Sequence, residues 1–119
     1  MGPVEELLNS YRAEVEDAVM RGLRGIAGPF LKGSLPQVWI FETEKETVSF
    51  VLDPKGKAIV EGREWKPRDV TVKWKETFLV SVLKARNRAG IPEGEIPETS
   101  CHTKKGCAAL SFLRSRIGL

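Results

Sequence analysis

Three residues able to bind soft metals sit close together late in the chain, as Cys101, His102 and Cys107. His102 is the sole histidine, and no cysteine occurs elsewhere. A structural zinc site needs four ligands, usually as two close pairs, so a fourth here would have to be a carboxylate. No metal is expected. Cysteine and histidine adjacent in sequence do not make a nucleophile and its base, because such partners meet in space. A disulfide between Cys101 and Cys107 would close a small loop and pin the last helix. The favoured reading is two reduced thiols, with Cys107 packed under that helix. No Gly-x-Ser-x-Gly elbow, phosphate-binding glycine loop or His-Glu-x-x-His motif is present. The carboxylate runs Glu42/Glu44/Glu46 and Glu93/Glu95/Glu98 fit solvated faces better than an acid–base pair, which needs one buried, perturbed member. No catalytic residue and no cofactor is expected, and the chain is not read as an enzyme.

Charge points elsewhere. The 119 residues carry 19 Lys+Arg against 16 Asp+Glu, a net charge of +3. Residues 1–60 hold 7 basic and 9 acidic groups, and residues 61–119 hold 12 and 7, so the excess lies in the second half. Lys66, Arg68, Lys73, Lys75, Lys84, Arg86 and Arg88 lie near Trp65 and Trp74 in sequence. Cations among exposed aromatics would suit single-stranded nucleic acid. Strand alternation, however, puts Trp74 on the same face as Val70 and Val72, which is a core face. Nucleic acid is therefore not the expected partner.

These groups must be positioned by helices and strands. Residues 3–24 form an amphipathic helix, with Val4, Leu7, Leu8, Tyr11, Val15, Ala18, Val19 and Leu23 on one stripe. Pro3 suits its first position, Glu5 and Glu6 its first turn, and Arg21 and Arg24 its last. Phe30 and Leu31 mark a short helical turn docked on the core. Strands follow at 38–41, 48–52, 58–61 and 70–74. Asp53-Pro54-Lys55-Gly56 is a turn joining the second and third. A helix spans 76–87. A long polar connection covers 88–105, with room for a short edge strand at 93–96. A last helix spans 106–117, with Gly118 as its C′ residue. No apolar run approaches the ~20 residues of a membrane span. No secretory signal opens the chain, so a cytoplasmic location is expected. The scarcity of Gln and Asn hints at a thermophilic source.

The order of elements and several local words resemble the sterol carrier protein family, the non-specific lipid-transfer domain. Residues 48–62, Val-Ser-Phe-Val-Leu-Asp-Pro-Lys-Gly-Lys-Ala-Ile-Val-Glu-Gly, are similar to that family's strand, turn and next strand. Residues 68–79, Arg-Asp-Val-Thr-Val-Lys-Trp-Lys-Glu-Thr-Phe-Leu, resemble its alternating strand and helix entrance. Residues 105–113, Lys-Gly-Cys-Ala-Ala-Leu-Ser-Phe-Leu, resemble its last glycine and small-residue helix. The chain departs from the pattern in three places. No Ser, Thr or Asp caps the helix at 76, no glycine follows that helix, and residues 99–104 match the family's fifth strand poorly.

The resemblance implies one α+β domain over residues 1–119, with a five-stranded antiparallel sheet covered on one face by helices. It implies non-catalytic binding or transfer of an apolar ligand, such as a fatty acyl chain, a sterol-like molecule or another lipid, in a cavity between sheet and helices. The implied lining is Phe50, Leu52, Val70, Val72, Phe78, Leu79, Val82, Leu83, Leu110 and Leu113. Lys84, Arg86, Arg88, Lys104 and Lys105 would flank the mouth and meet an anionic membrane surface. The state would be a monomer or homodimer. The alternative is a small basic module with a filled core that binds nucleic acid or another protein.

Overall fold

In the computed structural model, which describes residues 2–25 and 28–117, the chain opens on helix α1 (Pro3–Arg24). The side chains of residues 29, 30 and 112–117 lie outside that description, which leaves aside the expectations for Phe30 and Leu113; Gly118 is outside it altogether. Pro3 opens α1, and Val4 and Leu8 from its apolar stripe are buried. A short helix α2 (Gly28–Gly33) follows. Strands β1 (Gln37–Glu42), β2 (Thr47–Leu52), β3 (Ala58–Glu61) and β4 (Val70–Lys73) come next, then α3 (Glu76–Ala85), β5 (Glu98–Cys101) and α4 (Lys104–Ile117).

The strands lie in the order β3-β2-β1-β4-β5. Register sorts the side chains by face. Trp39 pairs with Phe50 and Val70, and Phe41 with Val48 and Val72, so these six share the face that carries the helices. Val38, Ile40, Val51 and Ile59 point the other way and pack under Trp65. The uninterrupted apolar word Val38-Trp39-Ile40-Phe41 thus marks a central strand buried on both sides, as apolar runs do.

The sheet is mixed, not antiparallel as expected. β1 and β4 run parallel, while β1–β2, β2–β3 and β4–β5 are antiparallel. The cause is the connection 62–69. The outer edge of β3 is covered by α1, where Arg12 Nε donates to the Ala58 carbonyl (3.1 Å) and Glu16 accepts the Ala58 N–H (2.7 Å). The chain therefore leaves that edge and crosses the outer face, where the Ser49 hydroxyl accepts the Trp65 N–H at 3.0 Å. It re-enters beside β1, where Asp69 N–H reaches the Val38 carbonyl at 2.8 Å. Eight extended residues reach roughly 26 Å, enough to return along a strand of six.

Helices α1 and α3 begin without a side-chain cap of their own. The turn between β1 and β2 supplies one to each. Glu46 accepts from the N–H groups of Val4 and Glu5 (3.1 and 3.3 Å), and both carboxylate oxygens of Glu44 face the N–H of Glu76 (3.0 and 3.1 Å). Glu42 pairs with Arg68 at 3.1 Å. The run Glu42/Glu44/Glu46 is thus a set of tertiary contacts rather than a solvated face. Carboxylates at helix N-termini satisfy orphan donors and oppose the positive end of the dipole.

The fifth strand falls at Glu98–Cys101 rather than 93–96, and the last helix begins at Lys104. Thr103 caps α4, its hydroxyl accepting the Gly106 N–H at 3.0 Å and donating to Asp69 at 2.6 Å. Cys101 and Cys107 form a disulfide, correcting the favoured reading of two reduced thiols. The capped turn between β5 and α4 brings the two Cα atoms to 5.0 Å, well within bridging range.

Candidate functional site

The layer between the sheet and the helices is where the predicted lining residues meet. Eight of the ten fall in one apolar cluster: Val70, Val72, Leu79, Val82 and Leu110 are buried in it, and Phe50, Phe78 and Leu83 pack against it half-buried. Leu52 is half-buried at the end of β2 and stands outside the cluster. The cluster also takes in residues that the sequence did not single out as lining: Val4, Leu8, Trp39, Phe41, Val48 and Trp74. Strand register would have found Trp39 and Phe41, since each sits directly opposite a residue already assigned to that face, and Val48 follows as the partner of Phe41.

Aromatic polar groups differ sharply across this layer. Trp39 Nε1 donates to Gln37 at 3.0 Å, and Gln37 is itself held by the carbonyls of Ser34 (2.8 Å) and Lys105 (3.0 Å). The Tyr11 hydroxyl donates to the carbonyl of Leu83, tying α1 to the end of α3. Trp74 is buried, and its Nε1–H has no acceptor among the described residues. Its ring lies 5.7 Å from that of Phe78 and is roofed by the Arg88 guanidinium at 5.4 Å. The segment that carries this roof is tied down by Arg88 donating to the Glu95 carbonyl, by the Lys75–Glu95 pair (3.7 Å) and by Ile91. Trp65 Nε1 is also without an acceptor, on the opposite face of the sheet.

At the top of the layer Glu76 is buried on α3, its carboxyl accepting from Thr43 at 3.0 Å. A hydrogen bond with the Glu46 carboxyl, then burial, pushes its pKa above the ordinary carboxylate value. Glu44 goes the other way, held low by the N–H of Glu76.

The five cations expected at a cavity mouth are not a free set. Arg86 pairs with Glu14 (2.9 Å) and stacks over Tyr11 at 4.8 Å. Arg88 is spent on Trp74 and Glu95. Lys105 donates to the Pro36 carbonyl and lies 3.8 Å from Asp69. Lys84 and Lys104 are exposed and carry no ion pair among the described residues. His102 hydrogen-bonds Thr71 at 2.9 Å, in a surface network that continues through Arg68 to Glu42 and Glu64. Among the described residues no group of three His, Cys, Asp or Glu could hold a metal, and no helix is long and apolar enough to cross a membrane.

An open cavity of about 520 Å³ is lined by Leu23, Gly28, Lys32, Pro54 and Lys55, none of which belongs to the apolar cluster. None of these was a predicted lining residue.

No family model and no curated protein matches the chain. Among solved structures it is similar to one described as "UbiJ-SCP2 Ubiquinone synthesis protein", with 22% identity, a TM-score of 0.47, and coverage of 88% of this chain and 96% of that one.

Proposed function

We propose that the protein binds or carries an apolar molecule with a polar end in the layer between its sheet and helices, without covalent chemistry. The observation behind this reading is the Trp74 indole N–H, buried in the apolar cluster beneath Arg88 without an acceptor among the described residues. A buried orphan donor costs about 1–3 kcal/mol, and native proteins rarely keep one without a reason. A carbonyl, hydroxyl or carboxylate oxygen of a lipid would satisfy it, while Phe78, Leu79, Val82 and Leu83 cover the chain. Entry would proceed by parting the Arg88–Pro97 roof from α3. Fatty acyl chains and sterol-like molecules are the ligand class. The cytoplasm remains the proposed location; a disulfide there fits a thermophilic source, whose intracellular proteins often carry them.

The test is titration with a fatty acid bearing an environment-sensitive fluorophore, with native mass spectrometry for stoichiometry. The parent should bind at one-to-one ratio. Leu83→Arg should abolish binding. Trp74→Phe should weaken a carbonyl-bearing ligand by up to about tenfold, the worth of one neutral hydrogen bond. A folded parent that binds no probe sinks the proposal.

One observation favours a second reading, a small interaction module with a filled core. Val70, Val72, Leu79 and Val82 are at most 1% exposed and pack on one another. The same titration separates the two readings.

A further inference from the structure

The Cys101–Cys107 disulfide spans a turn that other contacts already fix. The His102 N–H donates to the Asp69 carbonyl at 2.8 Å. The Thr103 hydroxyl links the Gly106 N–H to the Asp69 carboxylate, and Gly106 seats against the Asp69 carbonyl. A cross-link constrains the unfolded chain least when its loop is short, and this one has a sequence separation of 6. As a staple for the whole domain the bond is poorly placed.

What it joins is more informative. Cys101 ends β5, an edge strand laddered to β4, and Cys107 lies near the start of α4. The roof over Trp74 runs straight into β5: buried Pro97 closes the roof segment and Glu98 opens the strand. On the other side, α4 sends Leu110 into the apolar cluster, and Ala109 and Cys101 pack against it. The bond therefore fastens the far end of the roof to a helix that closes the same layer.

The pair is also open to chemistry. Both cysteines are half-buried, and Ser100, His102, Lys104 and Ala108 around them are exposed, so a small thiol can reach the bond. Its two ends differ. Lys104 and Cys107 are three residues apart on α4 and are neighbours on its surface. A thiolate released at Cys107 faces that cation and the positive end of the helix dipole. Cys101 lies against apolar side chains instead. Cys107 is thus the better leaving group.

We propose that the Cys101–Cys107 bond is a reversible thiol switch on access to the apolar layer, opened by a dithiol reductant. The proposal rests on the reading of that layer as a binding site. A reductant thiolate attacks Cys101 Sγ and forms a mixed disulfide as Cys107 leaves. The second reductant thiol then attacks the reductant's own sulfur in that mixed disulfide and frees Cys101. Two electrons and two protons pass from the dithiol, which becomes a disulfide, to the two cysteines. With the clasp open, β5 and the roof stay on the sheet through non-covalent contacts alone, and the roof parts from α3 more often.

The experiment is stopped-flow release of the fluorescent fatty acid from the full chain, oxidised, reduced with dithiothreitol, and reoxidised. Reduction should speed release by up to about thirtyfold, the loop-closure worth of so short a bond, and reoxidation should restore the slow rate. Cys101→Ser with Cys107→Ser should release at the fast rate with or without dithiothreitol. A reduced parent that stays folded and releases the probe at the oxidised rate overturns the switch and leaves a plain staple. A reduced parent that unfolds at the working temperature overturns it as well. A probe that neither form binds overturns the ligand reading, and this proposal with it.

Discussion

At Glu76 a carboxyl is buried against a second carboxyl, Glu46, at the point where α1, α3 and the β1–β2 turn converge. The Glu46 hydrogen bond and burial both raise the pKa of Glu76. Folding therefore takes up a proton between the ordinary carboxylate range and the raised value, and stability falls as pH climbs through that window. Glu76→Gln keeps a neutral polar group there. It should unfold at higher urea than the parent above the window and match it below, measured as urea midpoints over a pH series; parallel curves would refute the coupling. Glu44 has the opposite sign. Its pKa is lowered by the Glu76 N–H, so its contribution is present above the ordinary range and disappears as pH falls through the lowered value. Glu44→Gln should accordingly destabilise at neutral pH and converge on the parent in acid. None of this was legible from the residues. Three alternating glutamates between two strands read as a polar turn, and only the tertiary arrangement shows which helix end each one serves.

Among the elements, those with a strong period or a strong turn were readable. α1 lies where its stripe and terminal charges place it, and β3 spans the residues assigned to it. The strand β5 was not. Its residues Glu98-Thr99-Ser100-Cys101 alternate between exposed and half-buried, so no apolar period announces them. What holds β5 is its ladder to β4, its disulfide to α4, and the His102 N–H donating to the Asp69 carbonyl at 2.8 Å. Cys101→Ser with Cys107→Ser should cost about 2 kcal/mol by loop-closure reasoning for so short a loop, read from urea unfolding. A reductant should reproduce that loss in the parent and not in the variant. Gly106 is the second fixed point. A Cβ there would collide with the Asp69 backbone carbonyl, which cannot swing away as a side chain would. Gly106→Ala should cost roughly 1–3 kcal/mol, as overpacking does. A fully stable Gly106→Ala protein would mean that α4 docks differently.

For the molecule as a whole, the composition of the layers was legible and their connection was not. Apolar alternation assigned Val70, Val72 and Trp74 to one face, and all three lie in the same cluster. The parallel pairing of β1 with β4 has no local signature, because it follows from the connection 62–69 crossing the outer face before β4 begins. Leu79 joins the two layers with no exposed surface. Leu79→Ala should lower stability by about 3 kcal/mol, within the usual range for a buried leucine, and urea unfolding will read it. A much smaller cost would indicate room for the site to collapse, and hence a loosely filled layer.

The contacts of Arg12 and Glu16 with Ala58 bear on how copies of this protein behave when crowded. A sheet polymerises by adding a strand to groups left open at its margin. At β3 the Ala58 carbonyl and N–H are both occupied by side chains of α1. An incoming strand would have to displace a guanidinium and a carboxylate together before gaining its first ladder bond there. Growth from this margin is therefore opposed at Ala58 for as long as α1 stays folded, and a cut or mutation that loosens α1 would open that position to an incoming strand.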